Sequence, residues 1–249
     1  MSHQNSTISV DTIEPQSGTT LTMGQSGQNV VINADSIKNN VMKDAGGNAL
    51  FTSNGSGVLS GVNSAFGSAE VLITTTTISS PVAEVDFTSG IDSTYKEYVF
   101  EFLDIHPSAS SAANLSFQVN PVGGSGWNQP MISGFYVARA SESGSTGNAA
   151  DVASYCQNSG TDFQYITYDP EDFDYSTFNG ELHFYNPADT VLWKYWYGFG
   201  VEQAKNGNGW AAQTHWGGVV KSVPAIDEFR FKCYSGNIDA GIIKLWGFK

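Results

Sequence analysis

The sequence predicts an all-β protein in two regions, a short-strand stretch over 1–68 and a β-sandwich over 69–249. Three observations carry this. From residue 69 on, apolar and polar residues alternate in short runs bounded by Gly, Asn, Asp and Ser clusters. No stretch holds the apolar period of a long amphipathic helix. Aromatic residues are unevenly spread: before Glu70 only Phe51 and Phe66 occur, and every tyrosine and tryptophan lies from Tyr95 onward.

The first region is a series of small apolar runs: Ile8 to Val10, Leu21 to Met23, Val30 to Ile32, Ala49 to Phe51, and Val58 with Leu59. Turn clusters separate them, among them Gly24-Gln25-Ser26-Gly27, Gly46-Gly47-Asn48 and Ser53 to Gly57. Ordering one residue's backbone costs about 1–2 kcal/mol. Burying one Val or Leu returns only about 1.5–3 kcal/mol. With one modest hydrophobe every few residues, such a segment does not balance alone. It balances if identical copies bring their apolar faces together, as in a three-fold stem of short strands. The alternative is an unstructured linker. Within this region "DSIKNNVMK", 35–43, has the spacing of one or two helical turns.

The second region supplies its strands in order. "AEVLITTTTISS" is β-branched and threonine-rich. "VAEVDF" places Val85 and Phe87 on one face. "YKEYVFEFLDI" sets Tyr98, Phe100 and Phe102 against Val99, Leu103 and Ile105, and so reads as a central strand. "LSFQVN", "ISGFYVARA" and "ELHFYN" follow, with His183 turned outward beside Tyr185. "VLWKYWYGFGVEQ" puts Val191, Trp193, Tyr195, Tyr197, Phe199 and Val201 on one side. "FRFKCY" points Phe229, Phe231 and Cys233 inward, and "AGIIKLWGFK" pins the C-terminus in a sheet. Eight to ten strands at this spacing make a sandwich or barrel. Long irregular connections, read at 141–151 and 203–218, favour a jelly-roll-like sandwich.

Composition narrows the function. Only 14% of residues are charged, against roughly 25% in ordinary domains, so the polar surface comes from hydroxyls and amides. The net charge of −13 opposes phosphate backbones and anionic membranes, so neither nucleic acid nor a membrane is an expected partner. "MSHQNSTISV" has neither the basic nor the apolar part of a secretory signal, and no apolar run is long enough to span a bilayer. Cys156 and Cys233 lack metal spacing and read as two separate thiols, with a single disulfide as the alternative.

No nucleophile elbow, P-loop, dinucleotide fingerprint or zinc-protease motif is present, so a non-enzyme is expected. The histidines His3, His106, His183 and His215 lack paired metal spacing. The acidic run Asp169, Glu171, Asp172 and Asp174 could offer oxygens to calcium, but it departs from the EF-hand pattern. No other cofactor is expected. Tryptophans flanked by glycine are the better lead: "GGSGWNQP" presents Trp127, and "KNGNGWAAQTHWGG" presents Trp210, His215 and Trp216. With Tyr168 and Asp172 from the acidic run, they offer flat apolar rings beside hydrogen-bonding groups, a combination suited to sugars.

Two sets of segments resemble bacteriophage tail-fibre or related virion appendage proteins, especially those of marine phages. "SGTTLTMGQSGQNVVIN" and "AGGNALFTSNGSGVLSGV" resemble fibre stems. "IDSTYKEYVFEFLDIHPS" and "SGNIDAGIIKLWGFK" resemble fibre-tip β domains. The resemblance implies a homotrimer, made in the host cytoplasm and carried on the virion. Its N-terminal region would meet other virion proteins, and its β domain a host-surface glycan or protein. The chain is short for a fibre, which leaves a spike, a tip protein or a capsid decoration as alternatives. A carbohydrate-binding module or a polysaccharide depolymerase are further ones.

Overall fold

The computed structural model describes residues 41–44, 46–53, 56, 59–62, 69–141, 148–173, 176–204 and 210–249. The chain forms two compact units, Met1–Asn63 and Ser64–Lys249. All the regular structure described is β apart from one 3-10 turn, Ala153–Tyr155.

In the first unit, β1 (Val41–Lys43), β2 (Ala49–Ser53) and β3 (Leu59–Val62) form an antiparallel sheet. The helical turns expected at 35–43 do not extend over 41–43, which are strand β1; the remainder lies outside the described residues, as do the runs at 8–10, 21–23 and 30–32. The competing signal is the hairpin turn. The Asp44 carboxylate accepts hydrogen bonds from the Asn48 backbone N–H at 2.8 Å and its side-chain amide at 3.0 Å, and Gly47 adopts φ +85°. That closure pairs Met42 with Phe51. None of the side chains described in this sheet is buried, and Val41 and Met42 are exposed.

The second unit is a sandwich built by thirteen strands. They are β4 (Glu70–Ile78), β5 (Val85–Phe87), β6 (Glu97–Pro107), β7 (Leu115–Pro121), β8 (Met131–Ser141), β9 (Asn148–Asp151) and β10 (Asn158–Gly160), then β11 (Gln164–Tyr165), β12 (Phe178–Tyr185), β13 (Lys194–Ala204), β14 (Trp210–Val220), β15 (Ile226–Cys233) and β16 (Ile238–Phe248). One sheet runs β10-β8-β14-β13-β12-β6-β16-β4, with β9 also on β8; the other runs β11-β7-β15-β5. Without β8–β10 and β13–β14, the orders are β12-β6-β16-β4 and β11-β7-β15-β5. Strands then alternate between sheets in the jelly-roll manner. The two insertions lengthen one sheet only.

Phenylalanines from both sheets fill the space between them. Phe100 of β6 lies 4.7 Å from Phe229, 4.9 Å from Phe231 and 5.0 Å from Phe87, ring centre to ring centre. Phe184 meets Phe229 edge-on at 4.8 Å. The inner side of the added strands is covered by the chain between β9 and β11, where Tyr155 packs on Phe135 at 5.2 Å, and by β7, whose Phe117 packs on Trp196 at 5.1 Å. Cys156 and Cys233 are both free thiols.

Two local expectations are corrected, and one face is assigned. Ile105 points into the core, because a bulge at Asp104, φ +50° opposite Gly241 at φ +128°, shifts the register by one. The Asn179 side chain fixes the bulge by accepting the Asp104 backbone N–H at 2.9 Å. Residues 210–218, expected in an irregular connection, belong to strand β14, which pairs along its length with β13. On β13 the aromatic side that includes Tyr195, Tyr197, Phe199 and Val201 is the solvent side. Lys194, Trp196 and Glu202 are the buried ones. Lys194 survives there by donating to the carbonyls of Leu192, Ser222 and Val223 at 2.7–3.1 Å.

This packing separates two phenylalanines, Phe231 of the small sheet and Phe199 of the large one. Phe231→Ala should lower the unfolding free energy of the sandwich by about 3–5 kcal/mol. Phe199→Ala should change it by no more than about 0.5 kcal/mol. Urea denaturation of both variants measures the contrast, and equal losses would contradict the assignment of faces.

Candidate functional site

The exposed face of the large sheet is built row by row from strand register. One row runs Trp246, Val99, His183, Tyr197, Gly217, Gly134 across β16, β6, β12, β13, β14 and β8. The next runs Lys244, Glu101, Glu181, Phe199, His215, Tyr136. Directly paired residues share a face, so both rows look outward with the exposed Tyr197 and Phe199.

The two halves of this face differ. Over β12, β6 and β16, polar groups lock the aromatics. His183 holds Glu97 at Nδ1, 2.6 Å, and Glu181 at Nε2, 3.2 Å. Glu101 accepts from Lys244 at 3.1 Å and from the Trp246 indole at 3.0 Å. The His183 ring then stacks on Tyr197, 4.5 Å apart and 10° from parallel. Tyr185 follows at 6.1 Å. Burial first, then its hydrogen bond to Tyr197 and the charge of Glu97, push the Tyr185 hydroxyl well above the usual tyrosine range, so it stays neutral.

Over β13, β14 and β8 the face is open. Tyr195 is 61% exposed, Val201 51% and Tyr197 43%. A shallow trough of about 390 Å³ lies here, with Gly134 and Gly217 as its floor and Tyr136, Tyr197, His215 and Asp151 around it. A second concavity of about 470 Å³ lies against the small sheet, among Tyr155, Tyr165, Tyr234, Asp162 and Lys232. There the rings serve one another: Tyr165 meets Tyr155 edge-on at 4.9 Å and Tyr234 at 5.7 Å.

The six residues singled out in the sequence do not converge. Trp127 covers the Arg230 guanidinium at 4.6 Å; Arg230 in turn pairs with Asp86 at 2.6 Å and Glu84 at 2.8 Å. Tyr168 and Trp210 come together, but around Arg139, which lies 5.3 Å and 5.2 Å from their rings and bonds the Tyr168 hydroxyl at 2.7 Å. Asp172 is exposed beside His106 and Asp239. Trp216, only 3% exposed, is a core residue: it sits on Gly198, where a Cβ would stand 1.9 Å from its ring. His215 alone reaches the open face. Sequence reasoning missed Tyr136, Tyr197, Asp151 and the two floor glycines. The available signal was glycine inside a strand, in "ISGFY" and "HWGGVV".

The acidic run is dispersed as well. Glu171 is buried, Asp172 is exposed, and Asp174 lies outside the described residues. Among the described residues, the group with metal spacing is His106, Asp172 and Asp239. Both ring nitrogens of His106 face acceptors, Nδ1 the Asp239 carboxylate at 2.7 Å and Nε2 the Phe173 carbonyl at 2.8 Å. Burial alone would lower its pKa, but that carbonyl and carboxylate together raise it. The charged imidazolium is favoured, and it offers a cation no lone pair. The donor set fits an ion pair better than calcium, which takes oxygen ligands.

No protein-family model and no curated protein matches the chain.

Behind Arg139 and Tyr168 lies a pH-sensitive group. Glu202 is buried on the inner face of β13, where one oxygen accepts the Tyr168 backbone N–H and the other has no partner among the described residues. Burial, opposed by that hydrogen bond and aided by the charge of Asp169, raises its pKa to about 8. An unfolded glutamate titrates near 4.3. Between these values the folded chain holds a proton that the unfolded chain has released. The contribution is therefore complete below about pH 4.3 and is lost as pH rises through about 8, at up to about 1.4 kcal/mol per pH unit. Thermal unfolding between pH 5 and 8.5 should show wild type losing stability relative to Glu202→Gln as pH rises. Parallel curves would contradict a protonated Glu202.

Proposed function

We propose that this chain is a non-enzymatic structural protein of a bacteriophage virion, a tail fibre or spike that attaches the particle to the host surface. One observation carries the reading: a jelly-roll sandwich leaves the outer side of its inserted strands bare, with Tyr195, Tyr197, Phe199 and Val201 in solvent. Monomeric soluble proteins rarely leave contiguous apolar patches beyond a few hundred Å² exposed, and larger ones mark interaction surfaces. The acidic, hydroxyl-rich remainder keeps such a protein soluble at the high copy number of a virion component. The three-stranded sheet of the first unit supports the assembly half of the proposal, since none of its described side chains is buried. Copies related by three-fold symmetry supply the missing interior, and the N-terminal region then meets the other virion proteins.

The full chain should run as a trimer in light scattering. Fluorescently labelled protein should adhere saturably to some members of a panel of bacterial strains without releasing oligosaccharide. A monomer that adheres to no strain would overturn the proposal, and release of oligosaccharide would make the protein a depolymerase.

A further inference from the structure

We infer that the glycine-floored trough on β8 and β14 is a binding site for a neutral saccharide. This rests on the attachment role proposed above and names the ligand class that serves it.

Glycine in a strand interior costs stability, so its presence marks a bulge, a tight bend or the close approach of another group. Most of the glycines in the large sheet answer to such a group within the chain. A Cβ on Gly198 would stand 1.9 Å from the Trp216 ring, one on Gly200 would stand 2.1 Å from Phe178, and one on Gly180 2.5 Å from the Phe199 carbonyl. Gly134 answers to nothing. A Cβ there meets no atom of the described residues within 4 Å, and its φ is not in the left-handed region. Neither packing nor backbone conformation asks for glycine at this position. Its partner across the ladder is a second glycine, Gly217, where the atoms nearest a Cβ would be those of Trp196 and Tyr197 on the paired strand, at 3.3–3.6 Å.

Two adjacent strands therefore lack side chains at one level, a gap of about 10 Å along the row at normal strand spacing. Register places the walls. Tyr197 closes one end as the next residue in the row. Tyr136 and His215 stand along one side, Ile132 and Val219 along the other, and Asp151 pairs with Tyr136 at the sheet edge. Tyr197 is pre-set by its stack on His183.

The chemistry of the trough selects its occupant. The flat, uncharged floor and tyrosine rings accept the apolar C–H face of a pyranose. A carboxylate, an imidazole and tyrosine hydroxyls accept and donate hydrogen bonds to ring hydroxyls. Asp151 and the net charge of −13 repel an anionic ligand, so the sugar is a neutral one.

The test uses the full chain, an array of neutral and acidic bacterial oligosaccharides, and adhesion to intact cells. Gly134→Val adds a β-branched side chain where the structure has room, so its melting temperature should match wild type or exceed it. Wild type should bind at least one neutral glycan. Gly134→Val should bind it at least tenfold more weakly, and His215→Ala several-fold more weakly. Glycan binding that Gly134→Val leaves within twofold would overturn the inference. So would selective binding of acidic glycans, or adhesion to cells with no glycan bound on the array. In these cases the attachment role stands and the site lies elsewhere. If Gly134→Val instead converts an oligomer to monomer, the trough seats a second copy and the saccharide assignment fails. Absence of adhesion by wild type itself would remove the attachment role along with the site.

Discussion

The sandwich depends on the contact of β6 with β15 through Phe100, Phe229 and Phe231. Phe100 touches both β15 rings and Phe87 of β5, so one side chain joins three strands from two sheets. These rings are fully or almost fully buried, and each burial removes far more apolar area from water than the aliphatic runs of the first region could. The jelly-roll order follows from this contact. β6 and β15 lie inside their sheets, each flanked by strands that alternate between the layers, so closing the core at one point brings every remaining strand of the eight within reach of its partner.

The inserted strands inherit an edge from that core without inheriting its second layer. β13, β14 and β8 continue the large sheet beyond β12, whereas the small sheet ends at β11. On the inner side the shortfall is met by bulk. Trp196, Trp216 and Phe135 fill the volume, and the chain around Tyr155 and Ile166 closes over them. Indoles that large leave no room for neighbouring side chains, which is why Gly198 has no Cβ. Nothing comparable covers the outer side of the described residues there. The bare face is thus a geometric consequence of widening one sheet of a sandwich, and its aromatic character is the part that calls for a function.

Much of the architecture is legible in the sequence because alternation is a local property. Tyr98, Phe100 and Phe102, or Phe229, Phe231 and Cys233, announce their buried side with no knowledge of their partners. The strand β13 shows where the rule stops. Its more apolar side holds Tyr195, Tyr197, Phe199 and Val201, and alternation alone does not say which way that side faces. It faces solvent because on the other side Lys194 finds three carbonyls, Glu202 finds a backbone N–H, and Gly198 and Gly200 receive rings from β14 and β12. Each of those partners is distant in sequence. The site residues were obscured for a related reason. Tryptophan beside glycine looks like a loop display, yet at Trp216 the glycines accompany a core indole. The informative glycine, Gly134, is recognisable only once its neighbours are known to be absent.

Both units leave apolar side chains in water. A fold that leaves apolar side chains in water gives up roughly 25 cal/mol for each Å² so exposed. The first unit does so at Val41 and Met42 in a sheet with no buried side chain described, and the sandwich does so along β13. The remedies differ because the surfaces differ. Small aliphatic residues on short strands offer little shape and no hydrogen-bonding pattern, so they suit identical copies meeting on an axis. The trough offers a vacant level between fixed aromatic walls, with a carboxylate and an imidazole at its rim. Such a surface can discriminate among ligands, which small aliphatic side chains cannot. In the proposed appendage the N-terminal deficit is settled once, at assembly, and the β13 face stays open until it meets the host.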